Sequence, residues 1–156
     1  MSFTLTSPVA GGAQTGFTSP TYTLATDTAP TSAGKQYAVT ALGGTQTGVD
    51  ASSSPTRPFT ITLSRPQVLR ALAPVDPVTG VLRSVPRNTY TIRARKGVTP
   101  LAGQAAVTMQ GTVTLDIPAG ADVADPANVR ACLSLLVGAL NSISASIGDT
   151  VVTGVI

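Results

Sequence analysis

The chain of 156 residues contains no histidine, no glutamate and no tryptophan, and only one cysteine. Without histidine it lacks the imidazole base of Ser-His-Asp and Cys-His catalytic systems and the commonest metal ligand. Carboxylate catalysis would depend on seven scattered aspartates, and one cysteine forms neither an intrachain disulfide nor a cysteine-rich zinc site. These absences exclude most catalytic chemistry, so we expect no enzyme activity, no cofactor, no metal site and no small-molecule substrate.

Charged residues are also scarce, at 11% of the chain, which is about half their usual share. The chain is rich instead in threonine (24 residues) and serine (13), with 15 glycines and 12 prolines. Threonine favours strands, and glycine and proline favour turns, so this composition indicates short strands joined by turns. The length fits a single domain over residues 1–156, comprising a β-sheet region, 1–118, and a helical C-terminal region, 119–156.

Long apolar runs are absent as well. Residues 1–6 have no basic segment followed by the apolar stretch that is typical of a signal peptide. The longest apolar-rich stretch, residues 129–140, is interrupted by Arg130 and is too short to span a bilayer. We expect a soluble protein with no membrane partner that stays where it is made.

The few charges are unevenly placed. Residues 57–96 hold eight basic residues, seven of them arginine, against the single Asp76, for a net charge of +7. Arginine suits bidentate contacts to phosphate, so this cluster favours a surface that faces a polyanion. Charge alone leaves a solvated basic face open as the alternative.

Alternating apolar and polar residues predict the strands. Three segments, 59–65, 89–96 and 104–117, each combine one apolar face with one hydroxyl-rich face. The middle segment adds two arginines to its polar face. Other strands are predicted at 21–28 and 35–42, in an N-terminal hairpin formed by 3–6 and 17–18, and, as a short strand, at 81–85.

One main helix is predicted after the strands. Asp125 is a suitable N-cap and Pro126 a suitable first helical residue. We expect the helix to fray between 141 and 148 and to be followed by an apolar tail, 149–156. Apolar residues recur after Pro126 at helical spacing, at Val129, Leu133, Leu136, Leu140 and Ile143.

The predicted elements leave apolar surface uncovered. Five strands about 4.8 Å apart form a sheet about 24 Å wide, whereas one helix is about 10 Å across. A second copy of the chain would supply the missing cover if the helices packed across the subunit boundary. We therefore expect a homodimer, with the five apolar helix residues named above at its interface.

The hydroxyl-rich sheet face carries groups that recognise nucleic acid. Threonine and serine hydroxyls, glutamine amides and arginine guanidinium groups hydrogen-bond phosphates and bases. The alternative is that threonine is abundant there only because it favours strands. The side chains predicted to bind RNA are Thr60, Thr62, Ser64, Thr91, Arg93, Arg95, Gln110, Thr112 and Thr114.

Three stretches carry a family resemblance. They are Asn-Thr-Tyr-Thr-Ile-Arg-Ala-Arg at 88–95, Gly-Thr-Val-Thr-Leu-Asp-Ile-Pro at 111–118, and the helix of 125–140 with the terminal segment 147–156. Their order resembles that of the coat (capsid) proteins of the small single-stranded RNA bacteriophages, the levivirus type. The similarity covers roughly residues 57–156.

The resemblance implies an α+β fold with an N-terminal hairpin, a five-stranded antiparallel sheet and C-terminal helices that interlock two subunits. It also implies that these dimers build an icosahedral shell whose inner sheet face binds single-stranded genomic RNA. The protein would be made in the bacterial host cytoplasm and would end in the virion. In this family a coat dimer also binds an operator hairpin and represses translation.

The resemblance extends to individual residues. The family's Thr-x-Lys pair on one RNA-facing strand is matched by Thr91 and Arg93, and its Thr-x-Ser pair by Thr62 and Ser64. Its base-stacking tyrosine and its asparagine fall at Gln110 and Thr112. Glutamine cannot stack on a base as tyrosine does, so the sequence favours general RNA packaging over hairpin-specific repression.

An alternative function is a structural β-domain without RNA, such as a phage tail, decoration or pilus-like subunit. Strands rich in threonine, glycine and proline fit that function equally well, but it leaves the clustered arginines unexplained. If the chain forms a shell, its loops must adapt to different neighbours. The loops predicted at 43–58, 66–88 and 97–103 are the candidates for such contacts.

Overall fold

The computed structural model describes residues 4–156 as one antiparallel sheet followed by helices. The helices are α1 (Ala121–Ala124), α2 (Pro126–Ser142) and α3 (Ser144–Thr153). The strands are β1 (Val9–Ala10), β2 (Thr18–Asp27), β3 (Gly34–Thr45), β4 (Phe59–Ser64), β5 (Arg87–Val98) and β6 (Val107–Pro118).

The sheet is a curled meander in which each strand pairs with the next one along the chain, in the order β1 to β6. The longest ladder joins β5 and β6, which pair from Arg87–Pro118 to Val98–Val107. The α+β class, the N-terminal hairpin, the antiparallel sheet and the C-terminal helices are confirmed. Period-2 alternation predicted the main strands, and the family resemblance implied a five-stranded sheet with an N-terminal hairpin and C-terminal helices. In the structure β1 of the hairpin joins the sheet as its sixth strand.

The N-terminal hairpin differs from its predicted form. Residues 4–6 are not in a strand, and Phe3 lies outside the described residues. The first strand is instead β1, in which Val9 pairs with Tyr22 and Ala10 with Thr21. The pairing is extended by one backbone hydrogen bond, which Gly11 N donates to Pro20 O at 2.8 Å.

Two other strand predictions are wrong in their extent. No strand forms at 81–85, because the backbone there is drawn into a turn in which Asp76 N donates to Val81 O. The last strand begins at Val107 rather than at 104, since Leu101 and Gln104 close a turn through a 3.0 Å backbone hydrogen bond. Both segments therefore belong to loops between β4 and β6.

The C-terminal region is more helical than the sequence predicted. Asp125 accepts a hydrogen bond from Asn128 N, with Pro126 as the first helical residue, so the predicted cap is confirmed. The expected frayed segment and apolar tail form α3, which ends at Gly154 in a left-handed conformation. Gln14 Nε2 donates to Ser144 O at 2.8 Å, and this contact from the N-terminal loop holds the start of α3.

The core is thin. Its buried apolar residues are Tyr37, Val39, Leu63 and Ala119, and no large side chain in residues 4–156 is fully buried. The chain exposes 10733 Å², whereas a compact monomer of 15.6 kDa exposes about 7,200 Å². About 3,500 Å² more surface is therefore open than a self-contained domain of this mass would leave.

No single helix within residues 4–156 is long and apolar enough to cross a membrane. Taken together, α2 and α3 reach the required length and composition, but a bend of 57° separates them.

Candidate nucleic-acid interface

All nine predicted RNA-binding side chains lie on one face of the sheet, on the adjacent strands β4, β5 and β6. Directly paired residues of antiparallel strands project from the same face. The register therefore arranges the nine in three rows across the strands. The rows are Thr60–Arg95–Gln110, Thr62–Arg93–Thr112 and Ser64–Thr91–Thr114.

The middle row continues beyond β4 onto β3 and β2. Thr62 pairs with Gln36 on β3, and Gln36 pairs with Asp27 on β2. Thr62 Oγ1 donates to Gln36 Oε1 at 2.8 Å, and Gln36 Nε2 donates to Asp27 Oδ2 at 2.7 Å. One row thus joins five strands through paired polar residues.

The side chain of Arg95 is part of this hydrogen-bond network. Its Nη2 donates to Gln36 Oε1 at 2.9 Å, and its Nε donates to Thr60 Oγ1 at 3.2 Å. The guanidinium therefore lies across β4, where Thr60 and Thr62 are only 5% and 6% exposed. In this arrangement the guanidinium of Arg95 covers the two threonines, and two of its hydrogen-bond donors are used within the sheet.

Arg93 has the opposite environment. Its side chain is exposed and makes no hydrogen bond or ion pair with any residue between 4 and 156. Its row partner Thr112 is exposed, as are Gln110 and Thr114. The accessible part of the nine-residue face is therefore the side formed by Arg93 and β6.

Two carboxylates border this face. Asp27 lies at its β2 side, and Asp116 lies beside Thr89 at the end of the β5–β6 ladder and accepts a short hydrogen bond from its hydroxyl. Hydrogen bonds from Gln36 and from Thr28 N, with the Arg95 charge nearby, hold the pKa of Asp27 below its ordinary value. Carboxylates repel phosphate, so any polyanion on this face would be confined to the surface between them.

The +7 segment does not form one continuous patch. Arg83 pairs with Asp76 at 2.8 Å and Arg57 with Asp50 at 3.6 Å, both away from the polar sheet face. Lys96 belongs to the opposite, apolar face, where its Nζ lies 4.2 Å from the Phe59 ring centroid. Burial lowers the pKa of Lys96, so this cation is partly withdrawn from solvent.

Sequence reasoning missed Gln36 and Asp27. The alternation of β3 had placed Gln36 on a polar face, but only the strand register showed that this face continues the row of Thr62. Arg87 was not selected either, although the unbroken β5–β6 ladder places it on the same face as Arg93. The period-2 alternation of β5 already placed Arg87 on that face in the sequence.

The opposite face of the sheet is apolar and incompletely covered. A cavity of about 570 Å³ lies between the sheet and α2, lined by Leu63, Ile92, Leu115 and Leu133 among others. Its walls come from four strands, β3 to β6, and from α2, and they are mainly apolar, with polar residues such as Lys35 and Ser64 on the β3–β4 side. One helix from the same chain leaves this cavity open to solvent.

The helix residues predicted for the dimer interface divide into two groups. Val129, Leu133 and Leu136 are half-buried, whereas Leu140 and Ile143 are exposed. The most exposed apolar side chains of α2 are Leu135 at 74% and Val137 at 65%, neither of which was among the five. No residue of α2 is buried in the part of the chain that the structure describes.

Within residues 4–156 no group of three or more histidine, cysteine, aspartate or glutamate side chains is placed to hold a metal ion. The only chemistry that the polar face offers is hydrogen bonding by hydroxyls, amides and guanidinium groups, together with positive charge. Such groups bind phosphates, sugars and bases.

Comparison with known proteins gives one informative result. No protein-family model matches the chain, and no curated protein matches it. Among solved structures, the chain is similar to a virus-like particle of bacteriophage ESE020, with a TM-score of 0.95 and 50% sequence identity. The alignment covers 99% of this chain and 100% of that one.

Proposed function

The chain belongs to the family of bacteriophage coat (capsid) proteins, and we propose that it forms dimers, builds an icosahedral shell and packages single-stranded genomic RNA on the inner face of its sheet. The observation that carries the RNA assignment is the alignment of nine hydroxyl, amide and guanidinium side chains in three cross-strand rows. These residue types supply contacts to phosphate and sugar without requiring one base sequence.

Binding by this face depends on repetition. On this face a single subunit offers the exposed guanidinium groups of Arg93 and, at the start of β5, of Arg87, among exposed hydroxyls and amides, which is a weak site. A shell presents the same site many times to one RNA molecule, and tethering to neighbouring sites raises the effective concentration of RNA at each of them. Packaging through many weak phosphate contacts follows, and it should weaken steeply with salt.

Gln110 determines what kind of RNA recognition we propose. It lies at the end of the row of Thr60 and Arg95 and is exposed. An amide hydrogen-bonds a base edge or a phosphate, but it has no aromatic face on which a base could stack. We therefore propose packaging of RNA without a strong requirement for one operator hairpin.

The proposed dimer rests on surface that the chain leaves uncovered. The excess of about 3,500 Å² over a compact monomer is large compared with the roughly 800 Å² that each partner buries in a standard protein interface. The open cavity under α2 and the exposed Leu135 and Val137 supply apolar surface for it. Two copies that exchange helices across their sheets would bury both features.

The shell and its RNA can be tested together. We expect the purified protein to form uniform particles in electron microscopy and to carry an absorbance ratio at 260 to 280 nm typical of nucleoprotein. The protein has no tryptophan and three tyrosines, so even little RNA dominates its absorbance. Particles or fibres without nucleic acid would instead support the structural β-domain.

A matched pair of variants tests the assigned face. Arg93→Ala removes a free cation from the sheet, and Arg130→Ala removes one exposed cation from α2. We expect Arg93→Ala to lower the RNA content of particles and Arg130→Ala to leave it unchanged. Equal RNA content in both variants would overturn the assignment of the inner sheet face.

A further inference from the structure

The loop between β4 and β5, residues 65–86, is long but ordered. The side chain of Asn88 on β5 holds its first part, accepting from Arg70 N at 2.8 Å and donating to Arg70 O at 3.0 Å. Leu72 packs against Gly120, where a Cβ atom would lie 2.5 Å from Leu72 Cδ1. These contacts fix the start of the loop to the end of β6.

The second part of the loop is organised around Asp76. Its Oδ1 accepts from the backbone of Val78 at 2.9 Å and of Thr79 at 3.2 Å, and its Oδ2 accepts from Arg83 Nη2 at 2.8 Å. Gly80 N donates to Asp76 O at 2.8 Å and has a φ of +68°. The carboxylate thus holds residues 76–83 in one turn, and the Arg83 hydrogen bond is the main reason that its pKa is lowered.

This ordered turn presents apolar side chains to solvent. Val78, at its tip, is 91% exposed. Exposed apolar residues flank it on both sides, at Val75, Val81 and Val85. A loop that is already ordered in the free subunit loses little further conformational entropy when it binds a partner.

The surface area of the chain indicates what the partner is. A large obligate dimer interface buries up to about 2,500 Å² per subunit, whereas the chain exposes about 3,500 Å² more than a compact monomer. About 1,000 Å² per chain therefore remains for contacts beyond the dimer. Exposed large apolar residues outside the helices are concentrated in this loop and at the turn between β5 and β6, among the residues described.

We propose that the turn of residues 75–85 is a contact between dimers, which docks its valines onto a second copy of this chain in a neighbouring dimer. The inference rests on the proposed shell and adds the surface that joins its building blocks. The ionic contact between Asp76 and Arg83 preorganises the turn, so that little entropy is lost when the dimers meet.

The test introduces one charge at the tip of the turn. Val78→Asp changes a side chain that is almost fully exposed in the subunit, so folding and dimer formation should be unaffected. In the shell the aspartate would be buried without a partner, which should raise the protein concentration needed for assembly at least about tenfold. The control is Thr31→Asp, which adds the same charge at an exposed position between β2 and β3, outside the three candidate contact loops and without a large exposed apolar neighbour.

Sedimentation and electron microscopy distinguish the outcomes. The proposal predicts that Val78→Asp accumulates as dimers that still bind RNA, while Thr31→Asp assembles as the wild type does. Normal assembly of Val78→Asp, or equal loss of assembly in both variants, would overturn it. Failure of the wild type itself to form particles would refute the shell instead, so the two failures are separable.

Discussion

Arg95 and Gln36 lie two strands apart on the same sheet face, and Arg95 Nη2 donates a hydrogen bond to Gln36 Oε1 at 2.9 Å. Arg93, two residues earlier in β5 and on the same face, has no such partner among residues 4–156. Two arginines two residues apart on the same face of β5 thus have different environments. One is part of the sheet's internal hydrogen-bond network, and the other remains free for a ligand.

This difference predicts different effects of substitution at the two positions. Arg93→Ala should reduce the slope of log affinity for single-stranded RNA against log salt by about 0.7 per lost phosphate contact, with unchanged stability. Arg95→Ala should cost about 1 kcal/mol of stability, since it removes hydrogen bonds to Gln36 and Thr60. RNA titrations at several salt concentrations and chemical unfolding at one protein concentration measure the two effects.

The double variant Arg93→Ala/Arg95→Ala should lower packaged RNA further while dimers still form. If Arg93→Ala and Arg95→Ala lowered the free energy of unfolding by similar amounts, the two arginines would not have the separate roles proposed here.

The second prediction concerns the link between Gln36 and Asp27. Gln36→Met keeps the length of the side chain but removes the hydrogen bond to Asp27 and the acceptor for Arg95 and Thr62. The pKa of Asp27 is lowered in the folded chain, so Asp27 adds stability above its unfolded pKa, and this is lost as pH falls through the folded value. We expect Gln36→Met to raise the pKa of Asp27 and to reduce the acid dependence of stability.

An NMR titration of the aspartate side chains measures this shift directly. Asp76 is the internal control, since Arg83 rather than Gln36 is the side chain that lowers its pKa. An unchanged titration of Asp27 in Gln36→Met would show that the hydrogen bond does not set its pKa.

The third prediction concerns the proposed dimer. Leu135 is 74% exposed in the subunit, so Leu135→Asp should disturb the proposed interface rather than the fold of the chain. A buried unpaired carboxylate is costly, and we expect dimers to be lost or weakened at least tenfold. Analytical ultracentrifugation of Leu135→Asp against Asn141→Asp, an exposed polar position on the same helix, measures the effect. Dimers of equal strength in both would place the interface elsewhere.

The fourth prediction concerns the contact between the N-terminal loop and α3. A Cβ atom on Gly148 would lie 2.0 Å from Gln14 Oε1. Gly148→Ala must therefore displace the side chain of Gln14 and break its hydrogen bonds to Ser144. This loss offsets the roughly 1 kcal/mol of helix stability that alanine gains over glycine. In a Gln14→Ala background this obstacle is gone, and Gly148→Ala should stabilise the protein by about 0.5–1 kcal/mol.

Thermal unfolding of the four proteins at one concentration completes this double-mutant cycle. Equal effects of Gly148→Ala in both backgrounds would show that the two residues are not coupled.

The polar sheet face was largely predictable from the sequence. Period-2 alternation placed Thr62, Arg93 and Thr112 each on the polar side of its own strand, and an antiparallel register aligned them. The extension to Gln36 and Asp27 was not predictable, because alternation defines a face but does not say which residues pair across it. The bulge between Thr23 and Leu24 in β2 shows that this pairing can shift within one strand.

The C-terminal region shows a different limit. The Asp125 cap and the apolar spacing of α2 are local signals, and both were read correctly. The helix at Ser144–Thr153 contains valines and threonines that favour strands, so its sequence gave a weak local signal. Hydrogen bonds from Gln14 and Thr15, more than a hundred residues earlier in the chain, hold it in place.

The sequence by itself determined that this chain has strands with one apolar and one hydroxyl-rich face and one well-capped helix. These properties depend on residue type and on spacing along the chain, which are local. Only the tertiary structure decided that the side chain of Arg95 is hydrogen-bonded within the sheet while that of Arg93 is not. It also decided that the basic residues of 57–96 are dispersed over the surface and that the turn at Val78 exposes several valines to solvent. Those properties depend on which strands and loops meet in space, and strand register and long-range hydrogen bonds set them.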